Sequence, residues 1–331
     1  MLIACMIPRP KFDLTIHGRK VRLGKGTLIM GVVNVTPDSF SDGGRFLDPD
    51  RAVAHGLELA RQGADWLDVG GESTRPGSRP ISAEEELRRV LPVIRGLHRN
   101  LPSLPISIDT TKSEVAEAAI RAGASIINDV SGLRFDSCIA DIARRYRTPL
   151  ILMHLRGRPE TMQQKPFARS IWRSLREGLA RSIRRALAHG VRRPQLIIDP
   201  GLGFGKSRRQ NFETLAHLQR LQKFDLPILV GTSRKSFVQA VVAGEGLTPA
   251  KQSRRSVWPL VTGTGQGQAT PLQTGDAAAI AASILAGAHI VRVHDVAAAL
   301  PAVRVADALL AAGTRQQSPA KIWPKRQSLP Q

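Results

Sequence analysis

The stretch PISIDTTKSEVAEAAIRAGASIINDV, residues 105–130, decides the fold of this chain. Residues 105–109 and 125–129 are short runs with two isoleucines each, which is typical of buried strands. The segment between them is rich in alanine, glutamate and lysine or arginine, which favours a helix. A strand, a crossover helix and a second strand form the unit from which parallel sheets are built.

The same alternation recurs along the chain. Seven of the eight predicted strands are near-continuous apolar runs, as expected for parallel strands covered by helices on one face and packed side chains on the other. Eight such repeats predict an α/β fold, a single closed (β/α)8 or TIM barrel. The predicted strands cover residues 28–35, 65–69, 105–109, 125–129, 149–153, 195–199, 227–230 and 289–293.

Four segments fall outside the alternation. Residues 12–22 predict a β-hairpin placed to close the barrel bottom. Residues 244–274 contain several glycines and few strong helix formers, which predicts a long insertion after the seventh strand, at about 245–274, with Asp276 capping the helix that follows. We therefore expect a flexible N-terminus (1–10), one barrel domain (11–312) and a disordered tail (313–331).

The chain carries a formal net charge of +21, from 48 lysines and arginines against 27 acidic residues. Basic surfaces attract polyanions, so nucleic acid is an alternative partner. No helix-turn-helix, zinc-finger or RNP motif accompanies the charge, and much of it recurs at helical spacing, so a solvated helix face is favoured over a specific nucleic-acid site. The arginines of this predicted helix face are Arg169, Arg173, Arg176, Arg181, Arg184 and Arg185.

The cysteines and the apolar segments bear on location. Cys5 and Cys138 allow at most one disulfide bridge and no Cys-x-x-Cys metal site, which favours a reducing cytoplasm. The apolar opening, residues 1–8, lacks a basic region and is too short for a secretory signal. No later segment has the roughly 18 unbroken apolar residues of a membrane span. The sequence therefore predicts a cytoplasmic protein without a membrane partner.

Polar side chains stand at or near the carboxyl ends of seven predicted strands, where a barrel of this kind builds its active site. One acidic residue at a strand end is most often a helix cap or loop brace, but seven ends together indicate a site. Carboxylates and amides suit a ligand with a planar edge of donors and acceptors, and basic groups suit an anion beside it. The residues are Asn34, Asp68, Glu72, Asp109, Asn128, Asp129, Asp199, Ser233, Arg234, Lys235, Arg292 and His294.

The run Pro200-Gly201-Leu202-Gly203-Phe204-Gly205-Lys206-Ser207 has to be weighed as a phosphate loop. Pro200 replaces the first glycine of that motif, and Lys206 replaces the last glycine of the dinucleotide fingerprint, so neither pattern is met. We expect these glycines to let the backbone approach a flat ligand. His154 and His294 lack zinc-site spacing, whereas magnesium held mainly by substrate phosphates stays open.

From about Thr27 to Ala312 the sequence resembles the dihydropteroate synthase family, in motifs that follow the family's order. The longest are Met30-Gly31-Val32-Val33-Asn34-Val35-Thr36-Pro37-Asp38-Ser39-Phe40-Ser41-Asp42-Gly43-Gly44 and Asp68-Val69-Gly70-Gly71-Glu72-Ser73-Thr74-Arg75-Pro76-Gly77. The shorter ones are Ser107-Ile108-Asp109-Thr110, Ile127-Asn128-Asp129-Val130, Met153-His154, Asp199-Pro200-Gly201, Gly203-Phe204-Gly205-Lys206, Ser233-Arg234-Lys235-Ser236 and Arg292-Val293-His294-Asp295.

The resemblance implies a transferase of folate biosynthesis, in a family that sulfonamides target. It would condense 6-hydroxymethyl-7,8-dihydropterin pyrophosphate with 4-aminobenzoate and release pyrophosphate. Its partners would be these small molecules and, in a homodimer, a second copy of the chain. The resemblance also implies that residues 38–45 close over the site as a lid.

The resemblance assigns roles to individual residues. The implied pterin pocket consists of Asp109, Asn128, Met153, Asp199, Phe204, Lys235 and Arg292. The implied pyrophosphate ligands are Asn34, Arg292 and His294, with Asn34 helping to hold Mg²⁺, the one implied cofactor. The implied 4-aminobenzoate residues are Thr74, Arg75, Pro76 and Ser233. Catalysis would depend on Asn34, Asp109, Lys235, Arg292 and His294, and no dedicated base is evident.

The sequence departs from the family pattern at the insertion, with the altered stretch Leu272-Gln273-Thr274-Gly275, and at Arg158, where relatives often carry a small amide. Arg158 adjusts a substrate contact or points outward. Two alternative functions belong to the same fold: an inactive pterin-binding paralogue and a methyltransferase that serves a corrinoid protein. Asn34, Asp38, Thr74 and Arg75 are all present, which argues against the first.

Overall fold

The computed structural model describes residues 9–36, 48–74, 77–164, 168–247 and 269–315. Within them it confirms the eight predicted parallel strands and the N-terminal hairpin. The hairpin strands are β1 (Phe12–Ile16) and β2 (Arg19–Leu23). The parallel strands are β3 (Leu28–Asn34), β4 (Trp66–Gly70), β5 (Ile106–Asp109), β6 (Ile126–Asp129), β7 (Leu150–Met153), β8 (Leu196–Asp199), β9 (Leu229–Val230) and β10 (Ile290–Val293).

The parallel strands form one sheet in the order β8-β7-β6-β5-β4-β3-β10-β9. A parallel bridge between Ile198 and Ile228 joins its two edges, so the sheet curls into a nearly closed barrel. In this register Asn34 pairs with Gly70, Gly70 with Asp109, and Asp109 with Asn128. Polar residues far apart in sequence therefore stand at one level of the carboxyl rim.

Helices connect the strands on the outside of the barrel. Several begin at hydroxyl caps: Thr270 and Gln273 exchange hydrogen bonds in a capping box, as do Ser207 and Gln210. The helices are α1 (Pro49–Arg61), α2 (Ala83–Asn100), α3 (Ser113–Arg121), α4 (Ile139–Tyr146), α5 (Ile171–Ala188), α6 (Arg208–Ala216), α7 (Ser236–Val242), α8 (Pro271–Leu285) and α9 (Val296–Arg315).

The hairpin closes the bottom of the barrel, as predicted. Leu14 and Leu23 are almost fully buried and belong to one cluster with Met30, Trp66 and Ile290, near the amino ends of their strands. A separate, larger cluster fills the layer between sheet and helices. The barrel is thus sealed at its amino end, and ligand access is left to the carboxyl rim.

Three features of the structure lie across boundaries expected from the sequence. Arg9 is buried and donates to the Thr27 hydroxyl and the Ala288 carbonyl, each at 2.7 Å, so the flexible N-terminus does not reach residue 10. Helix α8 begins at Pro271, inside the insertion expected at 245–274, because Thr270 and not Asp276 caps it. Helix α9 extends to Arg315, beyond the expected end of the barrel domain. Two further stretches lie outside the described residues: residues 248–268 of the insertion and residues 316–331 of the tail.

Helix α9 contains the one membrane-span candidate among the described residues, Val296–Gly313, by length and composition only. Arg304 and Asp307 interrupt its apolar sequence. Val296 and Ala306 are fully buried in the core shared with the barrel, and Asp307 accepts from Arg9 and Thr27. These contacts are those of a packed outer helix of the barrel.

Candidate active site

Arg292 lies at the centre of a buried ion network on the carboxyl rim. Its Nε donates to Asp68 Oδ2 at 2.6 Å, and its Nη2 donates to Asp109 Oδ2 at 3.0 Å. Asn128 Nδ2 donates to the same Asp68 oxygen at 3.0 Å. Strands β4, β5, β6 and β10 each contribute one side chain, and the two carboxylates fix the plane of the guanidinium.

The charges of this network depend on one another. Asp68 is fully buried, and the side chain of Asp109 is 11% exposed. Burial and the neighbouring Asp68 raise the pKa of Asp109, which Arg292 offsets only in part. Burial opposes the charge of Arg292, but Asp68 and Asp109 outweigh it and raise the Arg292 pKa. Removing the guanidinium would leave two buried carboxyl groups unpaired.

A narrow recess beside this network brings together all seven residues predicted for the pterin pocket: Asp109, Asn128, Met153, Asp199, Phe204, Lys235 and Arg292. Burial raises the pKa of Asp199 to about 6, although its Oδ1 accepts from the Gly201 amide at 2.7 Å. Burial and the charge of Arg292 lower the pKa of Lys235 to about 8. The Lys235 ammonium stands 4.3 Å from the Phe204 ring centroid, within cation–π range.

The recess opens into a wider cleft of about 420 Å³. Eight predicted site residues line this cleft: Asn34, Thr74, Asp109, Phe204, Ser233, Lys235, Arg292 and His294. Asp276 accepts from the Ser233 hydroxyl at 3.3 Å and from the Arg234 amide at 2.9 Å. Asp276, expected as a helix cap, therefore braces the loop that carries Ser233 and Lys235.

Lys206 is fully enclosed behind the recess. Its ammonium donates to three backbone carbonyls, those of His154 at 3.2 Å, Gly201 at 2.7 Å and Phe204 at 3.1 Å. Burial lowers its pKa to about 7. Because this ammonium points into protein carbonyls, Lys206 links the loops that follow β7 and β8.

The glycines of this run serve loop packing more than ligand approach. Gly201 has φ +63°, and a Cβ there would lie 2.2 Å from the His154 carbonyl oxygen. A Cβ at Gly205 would lie 2.2 Å from the Arg156 carbonyl oxygen. A Cβ at Gly203 would meet the Lys235 side chain at 3.2 Å, and one at Gly201 would also meet Met153 Cγ at 3.0 Å, so these two glycines face residues of the recess as well. Glycine is needed at these positions because the loops after β7 and β8 touch backbone to backbone.

A buried brace that the sequence did not reveal holds the loop after β4. Lys112 forms ion pairs with Glu72 in that loop and with Glu86 of α2, the latter at 2.5 Å. Glu86 is fully buried, and burial raises its pKa despite the Lys112 charge. Thr74, two residues after Glu72, lines both the recess and the cleft. The brace therefore positions the start of the segment expected to contact 4-aminobenzoate.

Other predicted residues have different outcomes. Arg75, Pro76 and the whole expected lid at 38–45 lie outside the described residues. The Arg158 guanidinium packs 5.3 Å from the Phe135 ring centroid, and both line a side pocket with Thr74 and Asp109. Asp68, noted only as a polar strand residue, is the main anchor of Arg292. An acidic residue inside an otherwise apolar buried strand is the signal that could have identified it.

The donor set limits which metal could bind. Within the described ranges no group of three or more histidine, cysteine or acidic side chains is arranged to hold a metal ion. Asn34 lines the cleft with Arg292 and His294, so its amide oxygen is available as a single protein ligand. Mg²⁺ commonly keeps several waters and binds through substrate phosphates. The residues fit such an ion, held mainly by a pyrophosphate group, and do not form a protein cage.

Comparison with known proteins agrees with this geometry. The family model described as "Pterin binding enzyme" matches residues 30–294. Dihydropteroate synthase of Synechocystis sp. is 41% identical over 286 residues, which cover 86% of this chain and 91% of the relative. The dihydropteroate synthase of Escherichia coli is 38% identical over 284 residues, covering 86% of this chain and 92% of the relative.

Solved structures give the same result. Xanthomonas albilineans dihydropteroate synthase with 4-aminobenzoic acid superposes with a TM-score of 0.76 at 40% identity, covering 91% of this chain and 99% of the other. A Yersinia pestis dihydropteroate synthase with a sulfonamide drug gives a TM-score of 0.77 at 34% identity, covering 91% of this chain and 100% of the other. This chain therefore belongs to the dihydropteroate synthase family of pterin-binding enzymes.

Proposed function

We propose that this chain joins 6-hydroxymethyl-7,8-dihydropterin pyrophosphate to 4-aminobenzoate, giving 7,8-dihydropteroate and pyrophosphate. The observation that carries the proposal is the recess beside Arg292, in which buried carboxylates, an amide and an ammonium converge next to a cleft lined by Asn34 and His294. A related synthase has been solved with 7,8-dihydropteroate, at 39% identity and a TM-score of 0.73. The family membership and the local chemistry point to one reaction.

The pterin ring would lie in the recess. Asp199, ionised at neutral pH, accepts from the ring's amino and ring-nitrogen donors, and the Asn128 amide and Lys235 complement its acceptors. Met153 and Phe204 supply apolar walls, and the guanidinium of Arg292, fixed in plane by Asp68 and Asp109, stacks on the ring. Every polar edge of the ring then meets a group that the fold already holds in place.

The pyrophosphate would lie in the cleft, on Asn34, Arg292 and His294. The bond between the pterin methylene carbon and the pyrophosphate oxygen breaks, and the leaving group takes both electrons. The cationic groups stabilise the negative charge that develops on it. When bound beside Asn34, Mg²⁺ would supply further neutralisation of that charge.

The amine nitrogen of 4-aminobenzoate then forms the new bond to the methylene carbon and loses one proton. Ser233 and Thr74, with Arg75 and Pro76, would position this substrate. The departing pyrophosphate or solvent can take the proton. No dedicated base is needed, because an electron-deficient carbon reacts with an amine that is not strongly basic. Catalysis would thus come from Asn34, Asp109, Lys235, Arg292 and His294 through positioning and electrostatics.

The assembly and the location are further parts of the proposal. Val305 and Leu309 of α9 are 61% and 48% exposed and lie one helical turn apart, which fits a homodimer contact. We place the enzyme in the cytoplasm with small-molecule partners, without a membrane or specific nucleic-acid partner.

The deciding experiment measures pyrophosphate release by purified protein with the pterin pyrophosphate and magnesium, with and without 4-aminobenzoate. Release that depends on 4-aminobenzoate, with dihydropteroate as co-product, supports the synthase. Tight pterin binding without turnover would identify an inactive paralogue instead.

The pH dependence should follow two recess residues. We expect kcat/KM for the pterin pyrophosphate to fall below about pH 6, where Asp199 gains a proton, and above about pH 8, where Lys235 loses one. Lys235→Arg stays charged at higher pH, so it should move the upper limb to higher pH even if its maximal rate is lower. An upper limb that stays in place would show that Lys235 does not set it.

The ion pairs of Lys112 that brace the loop after β4 give a prediction about 4-aminobenzoate. Lys112→Met should raise the KM for 4-aminobenzoate about tenfold or more and leave pterin binding within about threefold, because Glu72 loses its anchor. Steady-state kinetics with each substrate varied, beside calorimetric pterin binding, checks this. Arg121→Met, which removes an exposed ion pair with Glu117, is the control. Equal losses for both substrates would argue for a general folding defect.

A further inference from the structure

We propose that a second cleft, between α5 and the loops after β6 and β7, binds a small anion that carries phosphate groups. This arginine cleft has a volume of about 320 Å³ and is lined by Arg134, Arg156, Arg181 and Arg185. It shares one residue, Met153, with the recess of the candidate active site and none with the wider cleft. It is therefore a separate site that touches the active site from behind.

The charge of the arginine cleft is uncompensated. Its described lining residues include no aspartate or glutamate. In the part of the chain that the structure describes, none of the four arginines forms an ion pair with a carboxylate. Desolvation lowers the pKa of Arg134, and the positive charges of Arg181, Arg158 and Arg185 lower it further. Like charges held this close repel, and a bound anion would relieve that repulsion.

Two of the arginines are held in position by the backbone. Arg134 Nη1 donates to the Leu155 carbonyl at 2.6 Å, and Arg185 Nη1 donates to the Leu133 carbonyl at 3.0 Å. Carbonyl oxygens orient a guanidinium without neutralising it, so the remaining N–H groups keep full charge for a ligand. Arg156, from the loop after β7, and Arg181, from α5, line the same cleft.

The inner wall of the cleft is closely built. His154 is 6% exposed, its Nε2 meets the Ser174 hydroxyl at 3.2 Å, and its buried Nδ1 has no hydrogen-bond partner among the described residues. A Cβ at Gly178 would lie 2.5 Å from His154 Cδ2, so glycine lets α5 come this close. Ser131, Ser174 and Ser182 add hydroxyl groups to the wall. Hydroxyl groups beside four guanidinium groups suit an oxyanion.

The geometry favours phosphate over other anions and a small ligand over a polymer. Guanidinium groups bind phosphate oxygens in pairs, which is why arginine predominates at phosphate sites. A volume of about 320 Å³ is at the small end of ligand pockets and accommodates pyrophosphate or a small phosphate ester. Nucleic acid would need a continuous basic track, which would include the outward arginines of α5 as well.

The test is calorimetric titration of the full chain with inorganic pyrophosphate, at about 0.15 M salt to suppress long-range attraction. The variant Arg156→Gln with Arg181→Gln removes two cleft charges whose side chains have no hydrogen bond or ion pair among the described residues. The matched control, Arg176→Gln with Arg184→Gln, removes the same charge from exposed positions on α5 that do not line the cleft. His294→Gln tests the pyrophosphate subsite of the proposed active site.

We expect one class of pyrophosphate sites to depend on the cleft. Its Kd should rise at least tenfold in the Arg156→Gln, Arg181→Gln variant. It should stay within twofold in the Arg176→Gln, Arg184→Gln control and in His294→Gln. Equal melting temperatures would show that the cleft variant is folded, and Arg181→Gln alone is the substitute if it is not. Equal weakening of pyrophosphate binding in the cleft and control variants would mean general attraction to a basic helix. Binding of a single-stranded oligonucleotide that depends on both pairs of arginines would favour nucleic acid. Either result, or absence of any class sensitive to the cleft variant, overturns the proposal.

Discussion

Asp199→Asn should weaken pterin binding by about a hundredfold while leaving the protein folded. An ionised acceptor contributes about 1.5–3 kcal/mol per hydrogen bond, and two such bonds to the ring account for a change of this order. The free energy of unfolding should hold or rise at neutral pH, because burial already raises the Asp199 pKa to about 6 and ionisation there is costly. The asparagine oxygen can still accept from the Gly201 amide.

Calorimetry of pterin binding, beside thermal denaturation, tests this prediction. Asp225→Asn is a suitable control because Asp225 is exposed, precedes β9 at the closed end of the barrel and has φ +51°, a conformation that asparagine also adopts. Unchanged pterin affinity in Asp199→Asn would remove Asp199 from the pterin pocket. A large fall in melting temperature would show instead that the carboxylate is structural.

Arg292→Ala should abolish measurable turnover and lower the free energy of unfolding by about 3–5 kcal/mol at pH 8, the usual cost of breaking a buried ion pair. Asp68 and Asp109 would lose their shared partner inside the barrel. The folded-state pKa of Asp109, already raised by burial, would rise further, so the penalty is present at high pH and shrinks as pH falls and the carboxyl group takes up a proton. Denaturant unfolding at several pH values measures this dependence.

Arg61→Ala is the control for Arg292→Ala. The pair of Arg61 with Glu58 is exposed, with side-chain exposures of 76% and 43%, and exposed pairs contribute little to stability because solvent screens them. Adding Asp68→Asn to Arg292→Ala should recover part of the stability, but no activity. If the Arg292→Ala penalty were the same at pH 5 and pH 8, buried carboxylate charge would not be its cause.

Much of the site follows from the sequence because parallel strands bring their carboxyl ends to one rim. Asn34, Asp109 and Asn128 were predicted from strand ends alone, and the register places them at one level. The failed phosphate-loop pattern was also informative, since Lys206 turns inward to carbonyl groups. The boundary of α8 was misplaced because the capping pair Thr270 and Gln273 lies in a segment whose composition disfavours a helix.

The sequence by itself determined the barrel, through eight buried strands, and the polar chemistry of its rim, because both depend on local composition and spacing. Only the tertiary structure decided which charges meet. Arg292 and Asp68 are 224 residues apart, and Lys112 reaches Glu72 and Glu86 on separate elements. The arginine cleft likewise joins α5 and the loop that precedes it to the loop after β6. Such pairings arise from the path of the chain in space, and burial then sets their strength, so no local pattern encodes them.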